Sequence, residues 1–450
     1  MVSAAEPFGD ELGVADLPKQ WHVARLGTLT DRPQYGLTAS AVSSPIGPRF
    51  LRITDIQDGQ VNWPSVPFCR YDEAAHQKYR LQKGDMVVAR IGATTGKAYL
   101  VEADTDAVFA SYLIRLRPNE KVLPEFLDQF TKSHIYWRQI TAVKGGRLKQ
   151  GVNIPVLEGI AVPVPPLPEQ RAIAQVLRTV QRAKEATEKV IAATRQLKQS
   201  LMRHLFTYGP VPVDQADRIR TTDLTIGLIP QHWELTTFAG LLESGVMADI
   251  QDGNHGEKHP KQSDFREGGV PFLTANCIKN GRVVFTSANF LDEVWLRKLR
   301  IGFAEPGDVL LTHKGTIGEV AVLGDQYQVT ILSPQVTYYR IAKLDYLERD
   351  YLAAAMQSDP FQKELRAIAS AQSTRAYVGI TKQKEMQIAI PPIKEQRVIA
   401  SILQPLDRKM TAGEKLKSAL VALFQTLLSN LMNGRVRVPE KDSNAEREVV

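Results

Sequence analysis

Four blocks of this sequence occur twice, in the same order. LPKQWHVARLG at Leu17–Gly27 returns as IPQHWELTTFAG at Ile229–Gly240, and FLRITDIQDGQV at Phe50–Val61 as PFLTANCIKNGRV at Pro271–Val283. KGDMVVARIGATTGKAYLV at Lys83–Val101 answers to PGDVLLTHKGTIGEVAVL at Pro306–Leu323. IAVPVPPLPEQRAIAQVL at Ile160–Leu177 answers to MQIAIPPIKEQRVIASIL at Met386–Leu403. The separation lengthens slowly from Trp21/Trp233 to Gln170/Gln396, as loop insertions after a duplication would make it. The period is far longer than the roughly 20–50 residues of a solenoid repeat. The chain must therefore fold as two copies of one domain.

Its 450 residues suffice for several domains of roughly 100–200 residues each. With 43% hydrophobic and 23% charged residues, global disorder is excluded. No stretch approaches the ~18 consecutive apolar residues of a membrane span, and the acidic start, MVSAAEPFGDELG, lacks a signal-peptide pattern. Two cysteines, Cys69 and Cys277, are too few for a disulfide framework or a cysteine-rich zinc site, so a reduced, cytoplasmic setting is expected. A net charge of +7 is compatible with a polyanionic partner without requiring one.

Each copy has the same α+β plan. Short alternating segments predict strands at Met86–Ala89, Ala98–Val101 and Tyr112–Leu116, and in the second copy at Val309–Thr312, Val320–Leu323 and Val336–Ile341. One helix is predicted next in each, over Pro124–Ile140 and Asp350–Ile368. A Pro-rich boundary then leads into a long helix. A stripe built on three- and four-residue steps runs through Ile173, Leu177, Val180, Thr187, Ile191, Thr194, Leu197, Leu201 and Leu205 in the first. The second has Ile399, Leu403, Leu406, Met410, Leu416, Leu420, Leu423, Leu427 and Leu431. Such a stripe predicts that the two helices pack on each other like a coiled coil, although an amphipathic helix lying on its own domain has the same pattern. Gly209-Pro210 and Asn433-Gly434 are stop signals, and Pro405 should kink the second helix or delay its regular start.

No catalytic machinery is apparent. A phosphate-binding G-x-x-x-x-G-K-[ST] loop is missing, as is a Gly-rich strand-to-helix nucleotide fingerprint. Ser358-Asp359-Pro360-Phe361 is only distantly like a methyltransferase tetrapeptide and reads as a turn of helix, while His255 and His259 lack a metal-ligand constellation. Two kinds of basic loop occur in equivalent places in both copies. One carries Arg90, Thr94, Thr95 and Lys97, matched by His313, Lys314 and Thr316. The other carries Lys144, Arg147 and Lys149, matched by Ser373, Thr374 and Arg375. Glycine lets backbone amides approach phosphates, and Arg, Lys and Thr supply charge and hydrogen bonds. Taken singly, each loop reads equally well as a surface hairpin.

The paired Trp blocks, the G-D-[MV]-[VL]-[VL] segments with their [RK]-G-x-x-G-type loops, and above all Pro165-Pro166-Leu167-Pro168-Glu169-Gln170 and Pro391-Pro392-Ile393-Lys394-Glu395-Gln396 opening the long helices resemble type I restriction–modification specificity subunits. The resemblance spans roughly Leu17 to Gly434. It implies two target recognition domains (1–168 and 209–393), two conserved spacer helices (169–208 and 394–434) packed as an antiparallel coiled coil, and a flexible tail (435–450). It further implies a non-catalytic subunit in which each domain reads half of a bipartite, asymmetric DNA target. The helix pair would set the gap and recruit two methyltransferase subunits, and restriction subunits through them. S-adenosylmethionine, ATP and Mg would reside on those partners, with no cofactor or metal on this chain. A fused restriction–methylation enzyme and a DNA-independent helical adaptor are the competing readings.

Overall fold

The computed structural model describes residues 17–438, apart from 58, 71–72, 144–150, 225, 255–258 and 372–375. It resolves into two compact units, Met1–Thr187 with Leu416–Val450, and Glu188–Lys415.

In the first unit a four-stranded antiparallel sheet runs in the order Gln34–Tyr35, Leu113–Leu116, Met86–Ala89, Ala98–Leu100. The second unit repeats it with Met247–Asp252, Val336–Ile341, Val309–Thr312 and Val320–Val322. His22–Arg25 pairs with Ala161–Val164 in one unit, and Glu234–Thr237 with Gln387–Ile390 in the other. The second unit also builds a five-stranded sheet that includes Val270–Leu273 and Thr330–Leu332.

Each predicted mid-domain helix is two helices. Pro124–Phe130 is separated from His134–Val143, and Arg349–Gln357 from Asp359–Ser370. In the second unit Ser358 precedes the new helix in an extended conformation, with Pro360 in its first turn. Proline is well suited there because the first helical amides need no intrahelical acceptor. Ser358-Asp359-Pro360 is thus a start signal, not a turn within a continuing helix.

Both repeated motifs hold their unit together through buried polar contacts. The Asp of each G-D pair is almost fully buried and takes a bidentate arginine. Arg117 donates to Asp85 at 2.7 and 2.9 Å, and Arg340 to Asp308 at 3.0 and 2.8 Å. The same carboxylates accept the backbone amides of Gln82 and Glu305. These hydrogen bonds raise the pKa of both guanidinium groups above the ordinary value. In the Glu-Gln pair that opens each long helix, the glutamate accepts the indole N–H of the tryptophan of its own copy. Trp21 to Glu169 is 3.0 Å and Trp233 to Glu395 is 2.9 Å. Gln170 accepts from the amide of Leu123 and donates to the carbonyl of Pro165, while Gln396 accepts from Glu348 and donates to Pro391. Both glutamines are fully buried, where an unpaired amide would be costly. The motif therefore clamps the start of each long helix to its reader.

The long helices run over Leu167–Tyr208 and Ile393–Met432, the second continuous through Pro405 with no delayed start. They end at Gly209 (φ +79°) and Gly434 (φ +66°), the left-handed termination that glycine favours. In the first unit, Ile173 and Leu177 from the start of one helix share a core with Phe424, Leu427, Leu428 and Leu431 from the end of the other. In the second unit, Leu205 and Phe206 share a core with Ile399 and Leu403. Start meets end in both units, so the pairing is antiparallel.

The inward stripe differs from the expectation at three places. Leu197 is 50% exposed, Leu416 52% and Leu423 46%. The buried register on the first helix keeps Ile191 and Thr194 as expected and then takes Lys198 where Leu197 was expected. Lys198 Nζ donates to Asp407 at 2.6 Å and to Gln357 at 2.9 Å. Apolar spacing does not reveal a polar pair at this position. Val180, Leu201, Leu406, Leu420 and Leu427 are half-buried. The tail is also tied down where it is described: the Arg437 guanidinium donates to Glu169 and, at 2.9 Å, to Gln20. Residues 439–450 lie outside the described residues.

Candidate nucleic-acid interface

In each unit the loop after the central strand leaves through a glycine with positive φ, Gly92 (+82°) or Gly315 (+82°), and returns through Gly96 or Gly318. Its first residue is bound on both backbone faces. Arg90 N–H donates to Tyr112 O at 3.0 Å, and Arg90 O accepts from Val152 N–H at 2.8 Å. The second unit repeats this with His313 N–H to Gln335 O at 3.0 Å, and Val378 N–H to His313 O at 3.0 Å. Val152 and Val378 each follow closely on the second basic loop of their copy. Backbone pairing therefore holds the first residue of the loop against Val152 or Val378 in the same way in both units.

The side chains are placed less uniformly. Lys97, Lys314 and Thr316 are exposed, and Arg90 and Thr94 are half-buried. Thr95 is buried, its hydroxyl donating to Gly92 O at 2.6 Å. It shapes the loop and does not present its hydroxyl to solvent. His313 is also buried, at 2% exposure, with Nε2 3.6 Å from Asp252. Burial removes both residues from the set of surface contacts anticipated from the sequence. Lys144, Arg147, Lys149, Ser373, Thr374 and Arg375 lie outside the described residues.

Sequence reasoning passed over Tyr35 and Tyr112, which are 37% and 55% exposed beside Arg90. Tyr35 falls outside the blocks that repeat, and Tyr112 was read only as the first residue of a strand, which in the structure begins at Leu113. The glycine shared by Tyr35-Gly36 and Asp252-Gly253 was the available signal. Among the described residues no three His, Cys, Asp or Glu side chains gather into a metal cluster. No described helix is long and apolar enough to cross a membrane.

The family model for the type I restriction modification DNA specificity domain matches residues 50–194 and again residues 244–421. The chain belongs to this family. The two matches fall one on each copy of the sequence repeat. The MjaVIII specificity subunit of Methanocaldococcus jannaschii is 23% identical over 436 residues, covering 94% of each chain. The EcoKI specificity subunit of Escherichia coli K12 is 22% identical over 458 residues, covering 97% of this chain and 93% of the other. The S subunit of a type I restriction–modification system from M. genitalium has a similar fold. Its TM-score is 0.61 at 16% identity, over 92% of this chain and 97% of that one. As a specificity-domain protein, this chain keeps the architecture of its relatives while sharing under a quarter of their residues.

Proposed function

We propose that the chain is the non-catalytic DNA-reading subunit of a type I restriction–modification complex. The observation that carries this is the duplicated frame: in two units of one fold the residue that follows the central strand, Arg90 or His313, is held by the same two backbone bonds and carries a different side chain. Phosphate contacts position a protein on DNA and base contacts specify the sequence. Two readers with unlike side chains therefore recognise unlike half-sites, which makes the target bipartite and asymmetric. The long helices, 42 and 40 residues, are about 63 and 60 Å long at ~1.5 Å per residue, and serve as the ruler for the unread gap.

The same helices carry the partner surface. Val190 and Leu197 are 47% and 50% exposed, and the repeat-equivalent Leu416 and Leu423 are 52% and 46% exposed. Two matched apolar pairs, each spaced by one heptad, suit two copies of one methyltransferase subunit. S-adenosylmethionine, ATP and Mg belong to those subunits and to the restriction subunits they recruit. Leu197→Glu with Leu416→Glu should weaken assembly with the methyltransferase about tenfold or more. It should change the free chain's stability by no more than about 0.5 kcal/mol. Analytical ultracentrifugation and thermal melting check the two halves of that statement, and unaltered assembly would move the docking face elsewhere.

DNA binding is tested on the complex with Arg147→Ala and Arg375→Ala. Each should weaken binding through its own half-site and reduce the slope of log affinity against log salt by about one. Unchanged affinity and slope in both would remove these loops from the interface. Methyl transfer by the purified chain alone would favour the fused-enzyme reading. A complex that assembles but binds no DNA would favour the adaptor.

A further inference from the structure

Two positions that face each other in both readers hold unlike pairs. Tyr35 and Asp252 occupy the same place in the four-stranded sheet, opposite Ile114 and Thr337 respectively. Arg90 and His313 likewise both follow directly on the central strand. In the second reader this pair is closed off. His313 is buried at 3.6 Å from Asp252, and Asp252 accepts the hydroxyl proton of Thr337.

In the first reader the pair is open. The Arg90 guanidinium lies over the Tyr35 ring, 4.7 Å from its centroid. Tyr35 is 37% exposed and its hydroxyl accepts the Ile154 amide at 3.3 Å, which fixes the ring. Ile114 offers no polar group to compete. Among the described residues, Arg90 Nε is buried without a hydrogen-bond acceptor, which leaves an outside contact to the two terminal amino groups. Stacking on an aromatic face reduces the entropy lost when those groups engage a pair of acceptors.

We propose that Tyr35 is a positioning residue that holds Arg90 for a DNA contact made by the first reader, and that the second reader has no counterpart. This rests on the DNA-reading function proposed above. The ligand chemistry is a side-by-side acceptor pair, either guanine N7 and O6 in the major groove or two phosphate oxygens.

The test uses the full chain assembled with its methyltransferase subunits. Duplexes carry the target found by methylome sequencing, with one half-site or the other altered. Binding and half-site methylation are measured for Arg90→Ala, Tyr35→Leu, Tyr35→Phe and the Arg90→Ala/Tyr35→Leu double variant. Arg90→Ala and Tyr35→Leu should each weaken first-half-site recognition by about 5- to 150-fold. Tyr35→Phe keeps the aromatic face and should retain most of the binding. The double variant should be no weaker than Arg90→Ala. Melting curves for every variant guard against simple unfolding. Relaxed discrimination at one G·C pair assigns the contact to guanine. A uniform loss with a salt slope lower by about one assigns it to phosphate. Either supports the stacked pair. Wild-type affinity for both Arg90→Ala and Tyr35→Leu would overturn it, as would additive losses in the double variant. If Arg147→Ala still weakened binding, the DNA-reading function would survive that failure. Absence of sequence-specific binding by the unmodified complex would remove both.

Discussion

A fragment ending at Tyr208, purified with the methyltransferase subunits, is expected to form a two-fold dimer that methylates a palindromic, interrupted version of the first half-site. The cut removes Phe424, Leu427, Leu428, Leu431 and Met432 from the core that holds Ile173 and Leu177. It also removes the Arg437 partner of Glu169. Leaving that apolar surface in water costs ~25 cal/mol per Å². The fragment contains its own replacement. Leu201, Met202, Leu205 and Phe206 sit on the first helix where Leu427, Leu428, Leu431 and Met432 sit on the second. In the second unit they already pack against the start of a long helix. A second copy of the fragment can supply them reciprocally, and a two-fold dimer is the commonest closed arrangement. Light scattering gives the mass and methylation mapping gives the symmetry of the site. A stable monomer, or modification of the parental asymmetric site, would show that the copies are not interchangeable.

Gly253→Ala should abolish recognition through the second half-site while leaving the first intact, and Gly36→Ala should do the reverse. A Cβ on Gly253 would stand 2.0 Å from the carbonyl oxygen of Ser333 and 2.4 Å from that of Leu332. On Gly36 it would stand 2.2 Å from Ala110 O and 2.3 Å from Phe109 O. These are backbone atoms, so no side chain can swing away and the strands themselves must part. Separation threatens the bonds from Gly253 N–H to Val336 O and from Gly36 N–H to Leu113 O. Overpacking of this kind costs about 3 kcal/mol, or roughly 6–12 °C in melting temperature for a unit of this size. Calorimetry and half-site-resolved methylation provide the measurements. A melting temperature within about 1 °C of wild type would mean that the backbone yields at little cost.

The repeat made most of the architecture legible before any coordinates. Met86–Ala89, Val309–Thr312 and Val336–Ile341 are strands with the ends read from their alternation, because flanking Gly, Pro and Asp bound them sharply. The helix break at Ser358 was harder to see, since apolar spacing continues across it and only the cap chemistry reveals the restart. Leu197 was misplaced for a related reason: the hydrophobic pattern does not show that Lys198, paired with Asp407, occupies the inward position. The bonds Arg90–Val152 and His313–Val378 are made by backbone atoms, which leave no trace in side-chain identity. His313 looked like a surface cation until Asp252 appeared beside it.

The composition of the first unit has a consequence for how the chain emerges from the ribosome. Residues 188–415 form a unit from one continuous stretch, whereas the first unit needs both Met1–Thr187 and Leu416–Val450. The reader that is translated first is therefore the last to be completed. At ~5–20 residues per second, it waits roughly 10–50 s after Thr187 is made for the helix end that covers Ile173 and Leu177. During that interval its apolar face is open to chaperones, or to the equivalent face of a neighbouring nascent chain on the same message.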